Sequence, residues 1–407
     1  MLGINAMPKL TMWRAIAVAI FTAGAIATYG RFAWALGGST NLSDAYPWGI
    51  WVSAGTLCAI GLSASGFCIS AAVYILGLKR YQPIVRTCVL ISFLGYLSVM
   101  PGYAYELGLP WRFYNPFLYW NRHSILFEVL MCVVSYTLVL ALEFAPAVFE
   151  KLPARWPWTW LRRVHERFHH RMLIAIVIAG ILFSSMHQSF LGGLFLIAKG
   201  RLYPLWWTQN LPALSLLSAI AGGLALGIMV LYLAARSLKA NFDKTIPEDI
   251  SRVVALLLVF YALFRGIDLV KSGAAPYLFL PREETLFFWL EIALFVVIPL
   301  AMFSLDRVRN NPTLLYWACA SVVAGFVLNR TNLCVTALQA SAGKVYVPSW
   351  MEMAITLMIY AGTVIAFRLA AEYLDIFEKR RPAPPAPPSA GAARLPWAPA
   401  EGKSAQA

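Results

Sequence analysis

The sequence has little charge for its length. Of its 407 residues, 13% are charged and 60% are hydrophobic, whereas a soluble domain has roughly 25% charged and 45–50% apolar residues. A soluble globule of this composition would precipitate. The apolar residues fall in blocks that exceed the roughly 18 residues needed to cross a bilayer. The composition therefore excludes a soluble enzyme and predicts a polytopic membrane protein.

Histidine is scarce as well, which limits the cofactors that the chain can hold. Three of the five histidines, His165, His169 and His170, fall in one basic loop, so only His123 and His187 lie in or beside predicted spans. A transmembrane b-type cytochrome needs axial ligands that face one another across its bundle. One haem is geometrically conceivable here and two stacked haems are not, and we expect no haem in this chain.

The six cysteines stand singly in or near the predicted spans, without a Cys-x-x-Cys pair or another close ligand cluster. An iron–sulfur cluster needs such a set of thiolates, so we predict neither a cluster nor another metal site. The sequence also lacks a P-loop, a dinucleotide-binding fingerprint and a catalytic triad pattern. Any metal centre that exchanges electrons with this protein must then lie on a partner chain.

The apolar blocks predict an all-α fold with about ten transmembrane helices. Similar stretches four helices apart indicate two four-helix bundles at about 49–198 and 211–334, with the first and last helices peripheral. The Pro- and Ala-rich residues 375–407 are predicted to form a disordered tail after a transmembrane domain of residues 1–374. The predicted spans are about 12–36, 49–76, 84–107, 123–144, 171–198, 211–235, 253–271, 283–303, 312–334 and 350–374.

Lys and Arg are concentrated in the loops on the same side as the N-terminus. Because positive residues mark the cytoplasmic side, both termini are predicted to be cytoplasmic. The basic loop from Lys151 to Arg171 is expected to contact anionic lipid headgroups, so the positive net charge does not indicate nucleic-acid binding. The outer loops are rich in Trp, Tyr and Pro, as in GLPWRFYNPFLYWNRHS at 108–124. This composition favours ordered loops that dock a partner protein.

Ionisable side chains inside a membrane are costly and usually functional. Glu128, in the run ILFEVLMCVV, has no obvious local partner, which favours a role in proton transfer. Glu143 lies roughly 22 Å further along the same helix and is the candidate for the other end of a proton route. Arg265 and Asp268 are three residues apart on one helix and are predicted to form a structural ion pair. His187, in SSMHQSFLGG, either packs between helices or donates a hydrogen bond to a substrate oxygen.

Several stretches between about residues 37 and 374 resemble a known family of membrane subunits. The resemblance is to the NrfD/PsrC family, the membrane subunits of polysulfide and nitrite reductases, and is greatest to its ten-helix HybB-type branch. The stretches that carry it are YPWGIW (46–51), SILFEVLMCVVSYTLVLALEFAPAVFE (124–150), MHQSFLGGL (186–194), FFWLEIALFVVIPL (287–300) and VYVPSWMEMAIT (345–356).

The resemblance implies a haem-free subunit of a bacterial inner membrane that exchanges electrons and protons with a quinone, either menaquinone or ubiquinone. It also implies a ferredoxin-like iron–sulfur partner on the outer face, linked to a hydrogenase, a molybdoenzyme or a multihaem cytochrome. By position, Glu128 matches the family's membrane carboxylate near the quinone site, His187 lies in its MHQS motif, and Glu106 stands where the HybB pattern has an acidic residue. Residues 54–56 read Ala-Gly-Thr where that pattern has Phe-Asp-Leu, so one acidic group is absent.

The residues and the resemblance together predict a quinone headgroup in the outer half of the second to fifth helices, with His187 as hydrogen-bond donor and Glu128 as proton carrier. The main alternative is a secondary transporter, which also has repeated bundles and charges within the membrane. Transporter helices usually break near the midplane, whereas the acidic residues here gather towards one face. A haem-binding cytochrome b is a third possibility, limited by the histidine count.

Overall fold

The computed structural model describes residues 12–151, 158–238, 243 and 245–377. These residues are largely helical and include no β-strand, and ten of their helices are long and apolar enough to cross a membrane. The predicted all-α polytopic membrane fold is thus confirmed. The spans, numbered α1 to α10, are Met12–Ala33, Trp51–Ile75, Lys79–Glu106, Ile125–Phe149, Arg171–Ala198, Leu211–Ser237, Thr245–Lys271, Glu283–Phe303, Pro312–Ala342 and Trp350–Tyr373.

The loops at the end predicted to face outward contain further short helices, whereas the other end has fewer. We call these two ends outer and inner, following the orientation predicted from the loop charges. The short helices of the loops are Ala35–Ser39, Pro110–Arg112, Asn115–Leu118, Ala275–Phe279 and Asp306–Arg309.

Several span boundaries differ from the prediction, and α7, for example, begins at Thr245 and not near residue 253. The helix that contains α5 begins at Trp158 and continues to Gly193, so much of the predicted basic loop is helical. Residues 152–157 and the side chains of the three histidines in this segment lie outside the described residues. The ninth span bends at Val335 and continues as the short helix Thr336–Ala342, which lengthens α9 at its outer end.

The chain after α10 turns back onto the inner end of the helices. Ile376 is buried there, and the Lys151 ammonium lies 2.6 Å from the Asp375 carboxylate. Arg86 of α3 also donates a 3.0 Å hydrogen bond to the backbone carbonyl of Asp375. The first residues of the predicted tail are therefore ordered, and the residues beyond Phe377 lie outside the described part of the chain.

The second span is interrupted near its middle, at Ser63–Ala64. Ser92 of α3 satisfies the backbone at this point, because its hydroxyl accepts a 2.9 Å hydrogen bond from Gly66 N and donates to the Ser63 carbonyl. Gly223 of α6 packs closely against the interruption. A Cβ atom on Gly223 would lie only 2.9 Å from the backbone nitrogen of Ser65. Spans α2 and α8 also contain π-helical turns, at Trp51–Cys58, Ala71–Ile75 and Ala293–Val297.

Candidate functional site

Spans α3 and α4 each present polar side chains at helical spacing. Tyr96, Tyr103 and Glu106 recur at intervals of seven and three residues on α3, and Tyr136 and Glu143 are seven residues apart on α4, so each set shares one helix face. These faces meet α5 and α2 inside the molecule. The resulting polar column consists, from the outer to the inner end, of Glu106, Tyr103, Tyr96, His187, Ser184, Tyr136, Glu143 and Ser70.

His187 lies at the middle of the polar column and is completely buried. Its Nδ1 atom is 3.2 Å from the Tyr96 hydroxyl, and its Nε2 atom has no hydrogen-bond partner among the described residues. The Tyr96 ring packs edge-on against Tyr136 at 4.7 Å between centroids. The imidazole is therefore hydrogen-bonded through Nδ1, whereas Nε2 is buried without a hydrogen bond to the described residues.

Other buried polar atoms beside His187 are also without partners in the described structure. Gln188 anchors its amide nitrogen on the Ile60 carbonyl at 2.9 Å, but its Oε1 atom accepts no hydrogen bond. The Ser184 hydroxyl lies close to Tyr96 and Tyr136, but neither it nor the Tyr136 hydroxyl makes a well-formed hydrogen bond with the described residues. Native structures pair most such atoms with protein groups or water, so this concentration indicates a place where water or a polar ligand binds.

The two ends of the polar column carry carboxylates in different surroundings. At the inner end, Glu143 accepts a hydrogen bond from the Ser70 hydroxyl of α2. At the outer end, Glu106 lies close to the Thr56 hydroxyl, yet its buried Oε1 atom and that hydroxyl make no well-formed hydrogen bond. Glu106 and Tyr96 are separated by about 15 Å along α3, so the column extends through much of the membrane thickness.

Glu128 lies outside the polar column. It occupies the first turn of α4 and is partly exposed, and its carboxylate makes no hydrogen bond or ion pair with the described residues. Among the described residues no hydrogen bond joins it to His187, the other residue predicted to act at the quinone. Partial exposure near the outer end leaves the carboxylate accessible to a partner, a ligand or water.

Glu291 of α8 is, in contrast, fully buried and hydrogen-bonded at both oxygens. Trp206 and Asn332 donate to Oε2, each at 2.9 Å, and Asn329 donates to Oε1 at 2.7 Å. Indole and amide N–H groups can only donate. This network, which we call the Glu291 network, therefore uses the carboxylate purely as an acceptor.

Two buried arginines lie beside the Glu291 network. Arg330 of α9 donates to the hydroxyls of Ser215 and Ser218 at 3.3 and 2.8 Å and lies over the Phe326 ring at 4.4 Å. Arg265 lies 3.3 Å from the Asp268 carboxylate. Two acids thus balance two arginines among α6 to α9, which is how buried charge is usually accommodated.

Asp268 also accepts hydrogen bonds from outside its own helix. The Thr208 hydroxyl and the Asn210 side-chain amide reach its Oδ1 atom at 2.6 and 2.8 Å, and Arg265 donates to the Leu205 carbonyl. The pair therefore attaches the loop before α6 to α7. This geometry gives Arg265 and Asp268 an anchoring position within the fold.

Two narrow cavities lie near these groups. One is lined by Arg265, Arg330 and Asn329 and has room for about one water molecule. The other is mostly apolar, lies between α2, α3 and α10, and is lined by Trp51 and Gly55 among others. A Cβ atom at Gly55 would meet open space. Neither cavity is lined by Glu106, Glu128 or His187.

The outer ends of α2 and α10 are joined by a group that we call the outer clasp, formed by Tyr46, Tyr346 and Glu352. The Tyr346 hydroxyl donates to the fully buried Glu352 carboxylate, which also accepts from Asn41 N at 3.0 Å. Burial raises the pKa of Tyr346, and the bond to Glu352 raises it further. Burial also raises the pKa of Tyr46. Glu352 therefore holds loops together and does not extend to lipid headgroups.

The described residues provide no obvious pair of axial haem ligands. His187 is buried with Nδ1 engaged by Tyr96, whereas His123 is exposed in the loop before α4. A bis-histidine haem site requires two imidazoles that face one another. Over the same residues, no group of three or more His, Cys, Asp or Glu side chains is placed to hold a metal ion.

The family of the chain follows from its similarity to known proteins. Residues 38–342 match the family described as polysulphide reductase, NrfD. The chain belongs to the NrfD family. The predicted resemblance is confirmed, and the match covers α2 to α9, including every residue of the polar column.

Relatives within the NrfD family match nearly the whole chain. One is the probable Ni/Fe-hydrogenase 2 b-type cytochrome subunit of Escherichia coli, 29% identical over 85% of this chain and 87% of that protein. Another is the menaquinone reductase integral membrane subunit of Nitratidesulfovibrio vulgaris, 28% identical over 91% and 93%. A third is a subunit of the selenate reductase of Mesobacillus selenatarsenatis, 24% identical over 82% and 87%. The NrfD relatives are thus subunits of oxidoreductase complexes.

The residues His187, Glu106 and Glu143, which the sequence offered as candidates, all lie in the polar column, but the side chains between them were not predicted from the sequence. Tyr96 and Tyr136 are aromatic residues in apolar spans and were indistinguishable from core packing. Their seven-residue spacing to Tyr103 and Glu143 is the signal that was available, because it places each hydroxyl on the same helix face as a polar neighbour.

Proposed function

We propose that this chain is the quinone-reactive membrane subunit of a respiratory oxidoreductase complex. It passes electrons between an iron–sulfur partner at the outer face and the quinone pool, and it holds no haem or iron–sulfur cluster of its own. The observation that carries this proposal is the buried, unpartnered Nε2 atom of His187 within a column of polar side chains. The menaquinone reductase relative supports the same substrate class.

A quinone gains two electrons and two protons when it is reduced, so the protein must supply proton donors within hydrogen-bond reach. His187 Nε2 is suited to donate a hydrogen bond to a quinone oxygen in the outer half of α2 to α5, with Glu106 nearer to the outer end of the same column. Glu128, partly exposed and unpaired near the outer surface, is suited to exchange protons with the solvent. Glu143 and Ser70 extend the polar column towards the inner face.

The exposed loop between α3 and α4 supports docking of the partner. Its large apolar side chains protrude at the outer end, beside the first turn of α4 that carries Glu128. Such aromatic and arginine-containing surfaces are typical of protein interfaces. The exposed members include Trp111, Phe113, Tyr114, Leu118, Tyr119 and Trp120.

A pull-down in mild detergent, followed by mass spectrometry, tests the assembly. We expect a multi-cluster iron–sulfur protein, together with a hydrogenase, a molybdoenzyme or a multihaem cytochrome. Repeated recovery of the folded chain alone would contradict the proposal. A b-type band in the reduced-minus-oxidised spectrum of the purified chain would overturn its haem-free state.

Substitution of His187 tests the site within that complex. We expect His187→Gln to reduce quinone-linked turnover at least about a hundredfold, because the imidazole is lost from the reacting centre. The matched control is His123→Gln, which makes the same change at an exposed loop histidine. Wild-type turnover in His187→Gln would exclude the residue from the quinone site.

A secondary transporter is the second candidate, and one observation favours it. The interruption of α2 at Ser63–Ala64, stabilised by Ser92, resembles the broken helices of transporters. Solute uptake by proteoliposomes that contain the chain alone would establish this alternative.

A further inference from the structure

His187 has two ring nitrogens, and only Nδ1 makes a hydrogen bond with the described residues. We propose that Tyr96 is a positioning residue that sets the tautomer of His187, and so decides whether Nε2 gives or takes a proton. The inference rests on the proposed function, in which Nε2 faces the quinone. It adds a residue to that site and a reason for its placement.

Packing fixes the Tyr96 side chain independently of its hydroxyl. The residue is fully buried, and its ring lies edge-on to Tyr136 at 4.7 Å and to His187 at 5.5 Å. The hydroxyl then lies 3.2 Å from His187 Nδ1. Replacement by phenylalanine would keep both ring contacts and remove only this hydrogen bond.

No other group on the described structure competes for control of the tautomer. His187 makes no ion pair and no second side-chain hydrogen bond among these residues, and the nearest carboxylates of the column, Glu106 and Glu143, belong to its two ends. A neutral imidazole carries one N–H, and the partner of one nitrogen determines which nitrogen bears it. For His187, that partner is the Tyr96 hydroxyl.

A phenol hydroxyl is a stronger hydrogen-bond donor than acceptor, so Tyr96 donates to Nδ1 in the resting site, and its oxygen can still take a proton back during turnover. When Tyr96 donates to Nδ1, the proton of the ring is on Nε2 and is available to a quinone oxygen. During quinone reduction, two electrons come from the iron–sulfur partner and two protons are needed. Nε2–H donates one proton to a quinone oxygen while Nδ1 takes the Tyr96 phenol proton, which leaves the Nδ1–H tautomer and a phenolate. When Nε2 then takes up a proton from hydrated H⁺, Nδ1 returns its proton to the phenolate oxygen and the starting tautomer is restored, so that a second cycle supplies the second proton. Quinol oxidation reverses each transfer.

The tautomer itself is measurable in the full chain, because it contains only five histidines. Nitrogen NMR of ¹⁵N-histidine-labelled protein distinguishes the two tautomers, and His187→Gln identifies the signal. We expect one tautomer in the wild type and a mixture in Tyr96→Phe. A mixture in the wild type, or an unchanged signal in Tyr96→Phe, would overturn the proposal, and neither result depends on quinone turnover.

Kinetics of the intact complex provide the second readout. We expect Tyr96→Phe to lower kcat at least about tenfold while KM for a soluble quinone changes less than about twofold, with a larger solvent isotope effect. Tyr105→Phe is the matched control, since its hydroxyl contacts Thr28 at 3.0 Å outside the column. Wild-type kcat in Tyr96→Phe, with His187→Gln inactive, would overturn this inference alone. Wild-type kcat in both variants would overturn the proposed quinone site as well.

Discussion

Glu128 of α4 and Glu291 of α8 have opposite surroundings. Glu291 is fully buried and accepts three N–H donors, whereas Glu128 is partly exposed and unpaired in the described structure. A similar contrast separates the helices α2 to α5 from the helices α6 to α9. The polar column among α2 to α5 contains several buried atoms without partners, and the Glu291 network among α6 to α9 uses both carboxylate oxygens.

This difference suggests a structural role for the Glu291 network and a binding role for the polar column. A saturated network lowers the energy of the fold, because every donor that it buries has an acceptor. An unsaturated group is costly to the fold and is retained where a ligand or a proton completes it. Substitutions of Glu291 and Glu128 test this difference, because the first should affect stability and the second turnover.

The largest effect is expected from Glu291→Leu. Removal of the carboxylate leaves the N–H groups of Trp206, Asn329 and Asn332 buried without an acceptor, at a total cost of at least about 3 kcal/mol. Thermal unfolding can be followed with a thiol-reactive dye, since the six cysteines are buried or half-buried. Glu128→Leu is the matched change and should unfold close to the wild-type temperature. Equal stability of the two variants would remove the contrast.

Glu128→Gln is expected to act on turnover and not on the fold. Loss of a proton carrier should lower quinone-linked turnover about a hundredfold, with the partner still bound and the unfolding temperature unchanged. Glu372→Gln, at an exposed glutamate near the inner end of α10, is the control. Normal quinone reduction by Glu128→Gln membranes would withdraw the role given to this residue.

Ser92→Ala tests the interruption of α2, where a single hydroxyl serves two backbone groups. We expect a loss of about 1–3 kcal/mol, because Gly66 N and the Ser63 carbonyl both lose their partner in a buried region. Ser98→Ala is the control on the same helix, since its hydroxyl only bonds back to the Gly95 carbonyl. A similar unfolding temperature for both variants would show that water replaces the Ser92 hydroxyl.

The smallest effect is expected at alkaline pH in the outer clasp. Tyr346 has a raised pKa in the fold, and an unfolded tyrosine ionises near pH 10. Its contribution to stability is therefore complete below about pH 10 and is lost as the pH rises above that value. Tyr346→Phe should be less stable at neutral pH but lose less stability between about pH 9 and 11. Parallel pH profiles would exclude the tyrosine as the cause.

The sequence predicted the spans because each depends on a local run of apolar residues. The boundaries that it missed depend on packing: α9 continues beyond Cys334 after a bend, and Leu374–Phe377 is held by Arg86 and Lys151 from other helices. The α2 interruption was also missed, because its stability depends on Ser92 of α3 and the close approach of Gly223 of α6.

By itself the sequence determined the membrane location, the helical fold and the few ionisable groups within it, since composition and periodicity are properties of short segments. Only the tertiary structure decided which of those groups find partners. Trp206 and Glu291 are 85 residues apart, and Tyr96 and His187 are separated by 91. Hydrogen bonds over such separations depend on how helices pack. Packing therefore gives Glu291 three donors and leaves His187 Nε2 without a hydrogen-bond partner among the described residues.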